Sequence, residues 1–149
     1  MVTSTLPPDF KDFLRLLNSK QVEYLLVGGY AVGYYGYPRA TADIDVWIAV
    51  SEQNAGRIVA ALHEFGFAVP DLKPELFLQK GRVIRMGVPP IRIEVITSAS
   101  GVDFAECYSR RLIVEMDGIP VSLIELTDLK KNKKAAGRPK DLADLDQLA

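Results

Sequence analysis

Asp43 and Asp45, in Thr41-Ala-Asp43-Ile-Asp45-Val-Trp47, are the side chains of this chain whose type and spacing most clearly suggest chemistry. In a β-strand residues i and i+2 share a face, so both carboxylates point one way while Ile44, Val46, Ile48 and Val50 point the other. Two like charges side by side in an apolar strand are unfavourable unless a cation lies between them. A divalent metal is the usual remedy, and Mg²⁺ commonly takes one or two carboxylates together with substrate phosphates. The bland alternative is that an Asp-x-Asp at a strand end is only a solvated edge.

The elements that must position these carboxylates come just before them. Tyr24-Leu-Leu-Val27 reads as a buried strand broken by Gly28-Gly29, and Tyr30 onward reads as a short helix or turn before Pro38. A Gly-Gly corner at a strand-to-helix junction lets backbone N–H groups approach a phosphate and leaves helix-start donors open, although a tight turn without ligand has the same sequence. Strand, Gly28-Gly29, the segment 30–42 and then Asp43-x-Asp45 resembles the minimal nucleotidyltransferases of the DNA polymerase β superfamily. Arg39-x-Thr41-x-Asp43-x-Asp45 matches the form of that signature seen in many bacterial members.

The resemblance implies an α+β nucleotidyltransferase (polymerase β-like) fold, a mixed sheet with helices packed on it. It also implies a third carboxylate from a later strand beside Asp43 and Asp45. Glu94, in Arg92-Ile-Glu94-Val-Ile96, is the acidic residue with the required apolar flanks, where most relatives carry aspartate. The competing reading of Glu94 is an ion pair with Arg92 or Arg85. Asp43, Asp45 and Glu94 are thus the expected catalytic residues and ligands of two Mg²⁺ ions. Gly28, Gly29, Arg39 and Thr41 are the expected nucleotide contacts on the first half of the chain.

A second segment carries the rest. Lys130, Lys131, Lys133, Lys134, Arg138 and Lys140 crowd together without an acid among them. Such a run is ordinarily a solvated face or a nucleic-acid patch. Here Asn132-Lys133, Ala136-Gly137-Arg138 and Lys140-Asp141-x-x-Asp144 resemble the C-terminal motif of a branch that includes abortive-infection type toxins. Lys133, Arg138 and Lys140 would supply cations to a triphosphate if the tail folds back over the Gly-Gly corner. Asp141 and Asp144 share a helix face and either orient these bases or favour a helix N-terminus. The resemblance runs from about residue 22 to 148.

Around these motifs the pattern predicts a helix near 9–18, strands near 23–28 and 43–50, and a helix from an N-cap at Ser51 to Gly66. It then gives a strand pair through Val88-Pro-Pro90, a helix near 102–111, and a hairpin at Asp117-Gly118. Residues 67–80 are ambiguous, His63 reads as a rim residue, and Cys107 as a packed or half-exposed thiol. Length predicts one domain over 1–149 with a basic helical segment from about 125. The net charge of −1 provides no global field for nucleic acid, and a single cysteine excludes an internal disulfide. No apolar run is long enough to span a bilayer, so a cytoplasmic protein without membrane contact is expected. The expected activity is Mg²⁺-dependent transfer of a nucleoside monophosphate from a nucleoside triphosphate to a hydroxyl of a protein or RNA acceptor, in a toxin–antitoxin or phage-defence setting. The alternative is a catalytically weak module of the same fold that binds nucleotide or a partner.

Overall fold

Pro8 fixes the first turn of helix α1 (Pro8–Ser19), whose Phe10, Phe13, Leu14 and Leu17 all turn inward at helical spacing. The computed structural model describes residues 6–36 and 41–148. After α1 comes β1 (Tyr24–Val27), every residue of which is buried, as expected of a strand covered on both faces. Gly28, at φ +69°, turns the chain directly into α2 (Gly28–Tyr35), so the helix begins at the glycine pair itself rather than at Tyr30. β2 (Asp43–Ile48) runs antiparallel to β1 and ends two residues earlier than the apolar pattern suggests.

The Ser51 hydroxyl accepts a hydrogen bond from the Asn54 N–H and so starts α3 (Glu52–Phe65), which stops at Gly66. Buried Asn54 then ties this helix to the sheet: it accepts from the Glu23 N–H at 2.7 Å and donates to the carbonyls of Glu23 and Ala49. The ambiguous stretch holds a single 3₁₀ turn, Pro74–Phe77, that buries Phe77. β3 (Val83–Val88) and β4 (Ile91–Ile96) form the expected antiparallel pair across Pro89-Pro90. The short α4 (Phe104–Ser109) and the hairpin β5 (Leu112–Met116) and β6 (Ile119–Leu123) follow, then α5 (Leu126–Ala136) and α6 (Pro139–Gln147).

The six strands make one mixed sheet in the order β3-β4-β2-β1-β6-β5. β2 and β4 are parallel, and so are β1 and β6, while the remaining neighbours are antiparallel. Ile44, Val46, Ile48, Ile93 and Val95 are buried together, each side chain contributing roughly 1.5–3 kcal/mol. Edge-to-face contacts of Phe13 with Phe65 and of Phe10 with Tyr30 join α1 to α3 and to α2. With its mixed sheet and packed helices, the chain is α+β. No described helix is long and apolar enough to cross a membrane.

Candidate active site

Alternation along β2 puts Asp43, Asp45 and Trp47 on the face opposite Ile44, Val46 and Ile48. The parallel register with β4 then sets Asp45 beside Glu94 and Asp43 beside Arg92. On the other side of β2, Val27 faces Asp45, so the Gly28 corner rises directly above that carboxylate. A Cβ at Gly28 would collide with the Asp45 carboxyl, and one at Gly29 would lie 3.1 Å from the Thr41 hydroxyl oxygen. Glycine is therefore required twice over at position 28, by its positive φ and by this close approach. The α2 N-terminus beyond it has no side-chain cap and no acidic residue in its first turn, leaving its N–H groups open to an anion.

These groups line a cavity of about 710 Å³. α5 and α6 close one side, bringing Asn132, Lys133, Arg138 and Lys140 to the same space as Gly28, Gly29, Thr41, Asp43, Asp45 and Glu94. The tail thus folds back to the glycine corner. Arg39 lies outside the described residues. His63 is exposed on α3 and does not line the cavity, and Cys107 is fully buried.

The side chains here are not equally committed. Arg92 forks onto Asp43, its Nε and Nη2 each 2.8 Å from a carboxylate oxygen. This hydrogen bonding, opposed by some burial, holds Asp43 below the ordinary carboxylate range. Glu94 takes Arg85 at 3.3 Å. Asp45 has neither: burial first, then the charge of Glu94, a hydrogen bond to Glu94 and the charge of Asp43, push its carboxyl up to about 7, with Lys140 pulling against them. Lys133, almost fully buried, sits 3.4 Å from Asp141 and 3.1 Å from Asp144. Arg138 donates through Nε to Asp141 at 2.7 Å and through its backbone N–H at 3.2 Å, so Asp141 also caps α6. Asp141 therefore both starts the helix and orients the bases. Although its burial acts upward, Arg138 and Lys133 hold Asp141 below its usual range.

The donor set is all oxygen, which suits a hard divalent ion such as Mg²⁺. Asp45, its carboxyl raised by burial and then by the neighbouring Glu94, is the group a cation would relieve. Among the described residues, no group of three donors is gathered closely enough to hold an ion, and Asp43 is turned onto Arg92. In chemistry, the carboxylates of Asp43, Asp45 and Glu94 suit such an ion.

Of the two ion-pair partners expected for Glu94, Arg85 is the one that meets it, while the β2–β4 register gives Arg92 to Asp43. The loop Ser98–Ser100, which also lines the cavity, carried no recognisable sequence signal.

A mixed sheet carrying Asp-x-Asp under a glycine corner, with a further acid on the adjoining strand, defines the nucleotidyltransferase class. Residues 8–149 match the family model described as nucleotidyltransferase of unknown function (DUF6036), and the chain belongs to that family. No curated protein matches it. Among solved structures it is similar to TM1012 of Thermotoga maritima, assigned as a nucleotidyltransferase, at 16% identity and TM-score 0.61, over 96% of this chain and 94% of that one. It is similar to the antibiotic-resistance factor ANT(2'')-Ia at 13% identity and TM-score 0.57, over 94% and 78%. An antigenic nucleotidyltransferase-like protein from Paracoccidioides brasiliensis gives 18% identity and TM-score 0.54, over 93% and 71%. At these identities the likeness establishes the fold.

Proposed function

We propose that this chain is a divalent-metal-dependent nucleotidyltransferase that moves a nucleoside monophosphate from a nucleoside triphosphate to a hydroxyl of a protein or RNA acceptor. The observation that carries this reading is the pairing of Asp45 with Glu94 across the parallel β2–β4 register, beneath the Gly28 corner and inside the cavity that α5 and α6 complete. Asp45, Glu94 and, once freed, Asp43 hold the metal, expected as two Mg²⁺ ions. Bound there, such ions neutralise charge on the entering and leaving oxygens of an in-line displacement at phosphorus.

The chain's own groups do the rest. Amides at Gly28, Gly29 and the α2 N-terminus receive the β and γ phosphates. Thr41 braces the start of β2, its hydroxyl donating to the Asp43 carbonyl at 3.2 Å, which fixes where the first carboxylate emerges. Arg138 and Lys140 extend cationic side chains along the cavity wall toward the triphosphate. Lys133, clamped between Asp141 and Asp144, fixes α6 against α5 and so holds those two in place. Glu94 is the acidic side chain positioned to accept the proton of the attacking hydroxyl, which joins the α-phosphorus as pyrophosphate leaves.

The macromolecular acceptor and a toxin–antitoxin or defence role rest on the branch resemblance of the C-terminal motif, and a cytoplasmic setting goes with them as part of this proposal. The test is incubation of the purified chain with α-³²P-labelled nucleotides, Mg²⁺ and cell extract, followed by gel separation of protein and RNA. Label on one band with wild type and none with Asp45→Asn supports the reading; equal labelling by both overturns it. A second reading, a nucleotide-binding module with little chemistry, is favoured by the arginines that occupy Asp43 and Glu94. Calorimetric heat on adding Mg²⁺–nucleotide without pyrophosphate release would select it.

A further inference from the structure

The cations around this cavity fall into two kinds. Lys133 contacts Asp141 and Asp144, and Arg138 contacts Asp141; the aspartate side chains are at least nine-tenths buried, so removing these bases would unbalance charge in a sealed place. Arg92 and Asp43 differ, because their side chains keep 34% and 23% of their exposure. The pair is bidentate and part-buried, stronger than an ordinary surface ion pair. Both groups still reach solvent, so a second fork-matching acceptor can replace the carboxylate without sealing a charge away from water.

Its position gives that exchange a purpose. Arg92 stands directly across from Asp43 in the register and two residues before Glu94 on the same face. Arg92 and Asp43 both line the cavity that Gly28, Gly29 and Lys140 also line, so a phosphate entering it would lie on the side of the guanidinium. The planar fork presents the same donor pair to a carboxylate and to a phosphate.

We propose that Arg92 is an exchangeable counter-cation of the nucleotide site: in the resting protein it occupies Asp43, and when metal and nucleotide enter, it passes to a phosphate oxygen of the triphosphate and frees Asp43 for the ion. The proposal rests on the nucleotidyltransferase reading above and adds to it a substrate-binding residue and an order of loading. Metal alone must compete with Arg92 for Asp43, whereas nucleotide offers Arg92 a new partner. Metal and nucleotide therefore promote each other's binding, and by linkage the factor is the same in both directions.

The test measures Mn²⁺ binding by electron paramagnetic resonance, with and without the unreactive α,β-methylene analogue of ATP, for wild type, Arg92→Gln and Arg92→Lys. Arg92→Gln is expected to bind Mn²⁺ alone about tenfold tighter, to bind the analogue about tenfold weaker, and to lose most of the mutual enhancement, within the usual range for such coupling. Arg92→Lys, keeping the charge without the fork, falls between. Arg15→Gln, which removes an equal charge from an exposed pair with Asp12 on α1, leaves both affinities unchanged. If wild type binds Mn²⁺ with nucleotide but Arg92→Gln gains no affinity for Mn²⁺ alone, the exchange is overturned while the metal site stands. If no variant binds Mn²⁺ in either condition, the exchange and the metal-dependent reading fall together.

Discussion

Replacing Asp45 with asparagine should make the metal-free protein more stable at pH 8 while destroying its activity. The Asp45 carboxyl is displaced from 3.8 to about 7, chiefly by burial and then by Glu94. The folded protein thus holds this proton more tightly than the unfolded chain. The stability it confers is fully present below pH 3.8 and is lost as the pH climbs through about 7. The full displacement corresponds to about 4 kcal/mol, and water reaching the open side of the cavity leaves roughly half of that. Asparagine has nearly the same shape, cannot ionise, and can donate an N–H to Glu94 where the protonated acid donated before. At pH 8 in EDTA, Asp45→Asn should melt about 4–8 °C above wild type, and near pH 4 the two should coincide. Taking the difference between the proteins cancels the acid-side losses of Asp43 and Asp141, which run the opposite way because both are held low. Adding Mg²⁺ should raise the melting temperature of wild type and not of the variant. A variant that melts below wild type at pH 8, or by the same margin at every pH, would refute the idea that an uncompensated charge is stored here for a cation.

Gly28→Ala places a methyl against the Asp45 carboxyl at a positive φ; it should cost about 1–3 kcal/mol in denaturant melts and abolish calorimetric nucleotide binding. Lys133→Met leaves Asp141 and Asp144 without their shared ammonium, a loss of about 3–5 kcal/mol, and adding Asp144→Asn should recover part of it if the buried charge is the cause. Asn54→Ala removes three hydrogen bonds between α3 and the strand ends and should destabilise by about 2–3 kcal/mol with no change in nucleotide affinity, since Asn54 does not line the cavity.

Local chemistry was readable from the sequence wherever one short segment determines it. The Asp43/Asp45 face, the glycine corner, the Ser51 cap and the Asp117-Gly118 hairpin each depend on neighbouring residues, and each stands in the structure as expected. Glu94 is singled out by its apolar flanks and the family resemblance, and the parallel β2–β4 pairing sets it opposite Asp45. What could not be read was the pairing of charges across strands. Alternation sets Arg92 and Glu94 on one face and leaves Arg92 or Arg85 as the partner of Glu94; the β3–β4 register selects Arg85, and the β2–β4 register sends Arg92 to Asp43. The basic tail was similarly half legible. Its spacing gives two helices around Gly137, yet the burial of Lys133 between two aspartates depends on how α5 packs on α6. Residues 67–80 have no dominant periodicity and yield only a 3₁₀ turn.

The most direct measurement is a crystal structure of the chain soaked with Mn²⁺ and the unreactive nucleotide analogue, with the ion located by its anomalous signal. The expected density lies between Asp45 and Glu94 at ordinary metal–oxygen distances of about 2.0–2.2 Å, with Asp43 turned onto it and the triphosphate under the Gly28 corner. An ion bound elsewhere, or a nucleotide-loaded cavity with no ion between Asp45 and Glu94, would contradict the assignment of these carboxylates as the metal site.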